Sequence, residues 1–81
     1  MPGAYSKQDY ELLQIVGASL RAYRRERALT QEQVAEMAGL NVTYLSDVER
    51  GKRNISLINL ARLARAFSLS LGDFFRIFPL K

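Results

Sequence analysis

Between Leu29 and Leu57 the chain reads LTQEQVAEMAGLNVTYLSDVERGKRNISL, a pattern that confines the backbone to two short helices and a tight turn. Thr30 followed three residues later by Gln33 is a capping box, in which a hydroxyl and a side-chain amide satisfy the open groups of a helix's first turn. Val34, Ala35 and Ala38 recur at helical spacing, which predicts a helix over 31–38 with that face inward. Gly39 then stops it, because the residue after a helix often takes the left-handed conformation that glycine reaches without strain. Asn41 is placed to cap a second helix over 42–50, with Leu45 and Val48 inward and Gly51 as its stop.

What the chain lacks is as restrictive. With 81 residues it has room for one domain, 1–81, around one core, and buries only about 60–65% of its unfolded surface. There is no cysteine, hence no disulfide framework and no thiolate metal site, and no histidine, the commonest general base and metal ligand. Neither a carboxylate pair in an evident cleft nor a phosphate-cradling glycine loop is present, so an enzyme is not expected. No metal, cofactor or small-molecule ligand is expected either. The apolar runs fall well short of the roughly 18–20 residues of a membrane span. The opening MPGAYSKQDYELL lacks the basic-then-apolar order of a secretory leader, which points to the cytoplasm. Twelve Lys and Arg against eight Asp and Glu give a net charge of +4, with Arg21, Arg24, Arg25 and Arg27 clustered and Lys52 beside Arg53. A basic domain of this size suits a polyanionic partner, although the same charges also serve to keep a surface solvated.

Three further helices frame the central pair. Leu13, Val16, Leu20 and Tyr23 give an apolar stripe over about 9–27, with Asp9 as cap and arginines toward the negative pole of the helix dipole. Ser56 opens a fourth helix, about 57–67, with Leu57, Leu60, Leu63, Ala64 and Phe67 inward. Ser70 opens a fifth, about 71–78, with Asp73 in its first turn. The expected architecture is all-α, a compact five-helix bundle.

With Leu45 and Val48 turned to the core, the third helix presents Val42, Thr43, Ser46, Asp47 and Arg50 on its opposite side. A solvated face is usually long and charged; this one is short at its beginning, so its backbone could approach base edges in a DNA major groove. Thr43 and Ser46 can donate or accept, Val42 can touch a thymine methyl, Asp47 can accept from a cytosine amino group, and Arg50 can reach guanine or phosphate. The bland alternative is a small-residue surface without a ligand.

The set Gly17, Leu20, Arg21, Arg24, Leu29-Thr30-Gln31, Val34-Ala35, Gly39-Leu40, Tyr44-Leu45-Ser46, Val48-Glu49, Gly51, Arg53, Ser56-Leu57, Leu60 and Leu63-Ala64 resembles the Cro/lambda-repressor-like helix-turn-helix family, over about residues 16–75. The resemblance implies a transcriptional regulator that binds a palindromic operator as a homodimer, with helix 42–50 reading sequence. It further implies that Gln31 bonds a phosphate, that Val42, Thr43 and Asp47 face bases, and that Asn41, Tyr44, Lys52, Arg53 and Asn54 contact the DNA backbone. Arg24 and Glu49 occupy the positions of a buried ion pair in that family. Val42 and Asp47 depart from the glutamines or arginines common at reading positions, so Asp47 has a second role open to it, orienting Arg50 or another cation. Tyr44-Leu45-Ser46 and Arg53-Asn54-Ile55-Ser56-Leu57 look like the controller proteins of restriction–modification systems.

Leu71 and Phe74 suffice to fix the fifth helix, which leaves Phe75, Ile77, Phe78 and Leu80 as surplus apolar groups. Residues 71–81 are therefore expected to form a dimerisation helix and tail, with Leu12 and Ile15 as further contributors. The alternatives are a tail that lids its own core, or an antitoxin-like module that docks a protein partner and binds DNA only for autoregulation.

Overall fold

A computed structural model describes residues 4–76 and folds them into α1 (Lys7–Glu26), α2 (Gln31–Ala38), α3 (Val42–Glu49), α4 (Leu57–Ala66) and α5 (Leu71–Phe75), with no strand among the described residues. The five-helix, all-α expectation holds. Ile77, Phe78 and Leu80 lie outside the described residues.

Four of these helices have ten residues or fewer, too short to persist alone in water, and all five have side-chain caps at their beginnings. Thr30 Oγ1 accepts from the Gln33 amide at 3.1 Å while Gln33 Oε1 accepts from the Thr30 amide at 2.8 Å. Asn41 Oδ1 accepts from the Thr43 and Tyr44 amides. Ser56 and Ser70 cap α4 and α5. At α1 the expectation needs correction: Ser6 is the cap, and Asp9, the third helical residue, returns its carboxylate to the Ser6 amide at 2.9 Å. The Ser6 hydroxyl in turn accepts from the Asp9 amide at 3.1 Å, and this reciprocal box decides the start.

The ends of α1 to α4 share one device. The amides of Leu29, Leu40, Lys52 and Leu69 donate back to the carbonyls of Arg24, Ala35, Asp47 and Ala64 at 2.8–3.1 Å, closing each last turn over a left-handed residue. Glycine fills that position at Gly39 (φ 71°) and Gly51 (φ 75°), but Ala28 (φ 54°) and Ser68 (φ 61°) hold it with a side chain attached. Leu29, Leu40 and Leu69, which follow, pack on the core.

The core is built from Leu20 of α1, Val34 of α2, Leu45 and Val48 of α3, Leu63 of α4 and Phe74 of α5, all fully buried. α1 packs on α3, α2 on both α3 and α4, and α5 on α4. Tyr23 ties α5 back to α1: its ring lies 5.2 Å from Phe74 and 5.9 Å from Phe67, and its hydroxyl donates to the Phe74 carbonyl at 3.2 Å. α1 and α3 meet backbone to backbone at Gly17. A β-carbon there would lie 2.6 Å from the Glu49 carbonyl oxygen and closer still to that of Val48.

Leu57 departs from expectation. The apolar spacing predicts it inward, yet it is 67% exposed, and its neighbour Ile58 is 66% exposed. Leu57 does continue the stripe of Leu60, Leu63 and Ala64, but the buried part of that stripe begins at Leu60. Phe75 also differs in part. It is half-buried against the core, edge-on to Phe74 at 5.5 Å, so it is not wholly surplus.

The two backbone sites give opposite predictions for the same pair of residues. Gly17→Ala should destabilise by about 2–3 kcal/mol, because a rigid carbonyl contact cannot yield as a flexible side chain would. Ala28→Gly should stabilise by about 0.5 kcal/mol, the relief of a left-handed alanine less the extra freedom of glycine in the unfolded chain. Urea unfolding of both variants measures the two signs.

Candidate nucleic-acid interface

The interface begins with how α3 is held. Glu49, the last residue of α3, has a side chain with no solvent exposure. Arg24 grips it in a fork: Nε donates to Oε2 at 2.7 Å and Nη2 to Oε1 at 2.9 Å. The third arm of the guanidinium, Nη1, donates to the Leu29 carbonyl at 3.0 Å. Gln31, opening α2, donates from Nε2 to Glu49 Oε1 at 3.0 Å, and Arg21 Nε lies 3.7 Å from the same oxygen. One carboxylate thus joins α1, α2 and α3. Burial pushes the Glu49 carboxyl up, but hydrogen bonds from Arg24 and Gln31, with the charges of Arg24 and Arg21, outweigh it and hold it below its ordinary 4.5. The hydrogen bond to Glu49 raises Arg24 against the opposing effect of burial.

This arrangement gives Gln31 a partner within the protein. Sequence reasoning assigns it to a phosphate; in the free protein its side-chain amide donates one hydrogen bond to Glu49. Arg21 likewise has a role the sequence reading did not give it. No spacing rule links residues 18 and 28 positions away from Glu49, so only the packing of three helices could reveal them.

With Leu45 and Val48 buried, the opposite face of α3 is open. Val42 and Thr43 are exposed at its beginning, Ser46 and Asp47 are half-buried, and Arg50 is exposed just past its end. The expected reading residues therefore share one side. Among the residues expected at the DNA backbone, Asn41 spends its side-chain oxygen on capping α3. The Tyr44 hydroxyl accepts from Asn59 Nδ2 of α4 at 3.2 Å. Lys52, Arg53 and Asn54 are exposed in the connection from α3 to α4. Asn54 donates to the hydroxyl of Tyr5 at 3.0 Å, which gives the segment before α1 a contact with that connection.

Asp47 and Arg50 form an ion pair on the surface, and Arg53 Nε lies 3.8 Å from the other Asp47 oxygen. The Arg53 guanidinium also sits over the Tyr44 ring, 5.3 Å from its centroid. The Asp47–Arg50 pairing is legible as a three-residue spacing on a helix. Arg53 is not, because its reach depends on the turn at Gly51, whose φ of 75° brings the chain back against Gln14 of α1.

Removing one partner of the buried pair, as in Arg24→Met, should cost about 3–5 kcal/mol, since it strands the Glu49 charge. The pH dependence follows from the lowered carboxyl. Folded Glu49 binds its proton less readily than unfolded Glu49, so its stabilising contribution is complete above 4.5 and is lost as pH falls through the lower folded value. Glu49→Gln should flatten the loss of stability in that acid window, as read by denaturant unfolding at a series of pH values.

The helix-turn-helix family profile matches residues 20–74. The control protein C.SmaI of Serratia marcescens is 41% identical over 61 residues, which are 75% of this chain and 73% of that protein. Among solved structures, the restriction-modification controller protein C.AhdI from Aeromonas hydrophila superposes with a TM-score of 0.77 at 38% identity, covering 80% of this chain and 98% of that one. The controller protein C.Esp1396I, solved as a tetramer in complex with its natural 35 base-pair operator, superposes with a TM-score of 0.78 at 31% identity over 83% of this chain and 88% of that one. The matched residues span the capped α2, the left-handed Gly39 and the α3 with one open face, and the chain belongs to the helix-turn-helix family.

Proposed function

We propose that the protein is a sequence-specific transcriptional regulator of the controller type, binding double-stranded DNA as a homodimer with α3 in the major groove. The observation that carries this reading is the outer side of α3: short, exposed Val42 and Thr43 at its beginning, half-buried Ser46 and Asp47 beyond them, and exposed cations Arg50, Lys52 and Arg53 after its end. Thr43, Val42 and Ser46 meet base edges, while Lys52 and Arg53 meet phosphates. The operator complex of C.Esp1396I supports the assignment by likeness. The reading requires no catalysis and no cofactor, and places the protein in the cytoplasm with its DNA. It treats residues 1–81 as one domain.

Dimerisation follows from surface chemistry. Leu57 and Ile58 present two large aliphatic groups to water at adjacent positions, and a second copy seated on them removes that surface. Phe75 and the expected Ile77, Phe78 and Leu80 extend the association. A two-fold dimer sets two α3 helices about 34 Å apart, one turn of B-DNA, matching a palindrome.

Selection of duplexes from a randomised library tests the function: symmetric half-sites one helical turn apart are expected, and an unstructured pool would defeat the proposal. Thr43→Ala should change preference at one base pair by about 1–3 kcal/mol, whereas Lys52→Ala should weaken all sequences alike and reduce the salt slope by about one per half-site. Leu57→Glu combined with Ile58→Glu should shift sedimentation toward monomer and lower DNA affinity with it. A variant that remains dimeric would relocate the interface.

A further inference from the structure

Asp47 is the one acidic residue among the side chains assigned to DNA, and its environment gives that acid a purpose. Its Oδ1 accepts from Arg50 Nη2 and its Oδ2 lies 3.8 Å from Arg53 Nε. Arg53 is steadied from the other side by the Tyr44 ring, and Tyr44 by Asn59 of α4. The carboxylate is 24% exposed between arginines that are 51% and 55% exposed. Phosphates can reach both cations, then, but only by drawing them from a partner that is itself poorly hydrated.

We propose that Asp47 is a brake on sequence-independent DNA binding: it holds Arg50 and Arg53 in the free protein and releases them only where the duplex offers the carboxylate a hydrogen-bond donor. The inference rests on the DNA-binding reading above. On an arbitrary sequence, an arginine that swings to phosphate leaves Asp47 unpaired against a polyanion, and that loss offsets the new contact. Where a cytosine amino group lies beneath α3, the carboxylate accepts from it, and the arginines are free for phosphate or guanine. Discrimination then comes from weakening the wrong duplexes as well as from contacts to the right one. Asp47 is in this sense a specificity residue whose main effect is exerted on sequences it does not read.

The test compares the full-length protein with Asp47→Asn, which keeps the shape and removes the charge. Both are titrated by fluorescence anisotropy against a labelled duplex of random sequence and against the duplex enriched by the wild type, between about 50 and 200 mM salt. The variant is expected to bind the random duplex about five- to tenfold more tightly per half-site near 0.1 M salt, with a salt slope steeper by about 0.9 per half-site. Its ratio of enriched to random affinity should fall. Adding Arg53→Ala to Asp47→Asn should return part of the slope. Thermal melting monitored by circular dichroism, with Asp47→Ser as a second variant, separates these effects from misfolding. Random-duplex binding that is unchanged or weaker in both variants, or a slope indifferent to Arg53, overturns the brake. Wild-type protein that binds no duplex at all removes the DNA reading and this inference together; wild type that binds, with Asp47→Asn identical to it on random DNA, overturns the brake alone.

Discussion

A carboxylate that cannot reach water must find all its donors within the protein, and Glu49 finds them on two other helices. Arg24 and Arg21 come from α1 and Gln31 from α2. Because those donors approach from fixed directions, the end of α3 is held in rotation as well as in position. Gly17 sets the remaining degree of freedom, the distance, by letting the α1 backbone rest on the carbonyls of Val48 and Glu49. A buried ion pair is weak evidence for stability as such, since well-packed apolar groups can equal it. What this one supplies is orientation. It decides that Leu45 and Val48 face inward and that Val42, Thr43 and Asp47 do not.

The same economy governs the helix ends. Helices of five to ten residues contribute little cooperativity of their own, so each boundary has to be fixed locally by a cap and a closing turn. A chain built this way carries its boundaries in short motifs. Thr30 with Gln33, Asn41, Ser56, Ser70, Gly39 and Gly51 were all readable as starts or stops, and α2 to α5 followed from them. At the start of α1 the pattern points to Asp9, and the cap is Ser6, because the apolar stripe begins only at Leu13 and leaves the first turn unmarked. Ala28 and Ser68 were not readable as left-handed positions, because neither residue type favours that conformation; the leucines after them and the 6→1 hydrogen bonds hold them there.

The site was legible to a different degree. Helical geometry alone put Val42, Thr43, Ser46, Asp47 and Arg50 on one side. It could not say which of the polar residues already have partners. Gln31 belongs to Glu49, Asn41 to the start of α3, Tyr44 to Asn59, Asn54 to Tyr5, and Arg53 to Asp47 and Tyr44. Each of these depends on where a loop or a second helix lies, and none on a period. Leu57 failed for the related reason that periodicity predicts which side of a helix is apolar, not whether anything covers it.

Partnership also changes what the net charge means. Of the cations gathered near α3, Arg24 is consumed by Glu49, and Arg50 and Arg53 share Asp47. Among the described residues Lys7, Arg25, Lys52, Arg62 and Arg65 make no ion pair, and of these only Lys52 lies in the connection that follows α3. Arg62 and Arg65 line a separate groove with Glu36 and Met37. At the beginning of α3 the amides of Thr43 and Tyr44 are likewise taken up by Asn41. Free positive charge at the proposed interface is therefore scarce, despite the overall excess of +4. Binding a polyanion there is chiefly an exchange of partners for arginines that are already satisfied. An exchange is sensitive to what the other side presents, in a way that surplus charge is not, and this is how a small basic domain can be selective without a large surface.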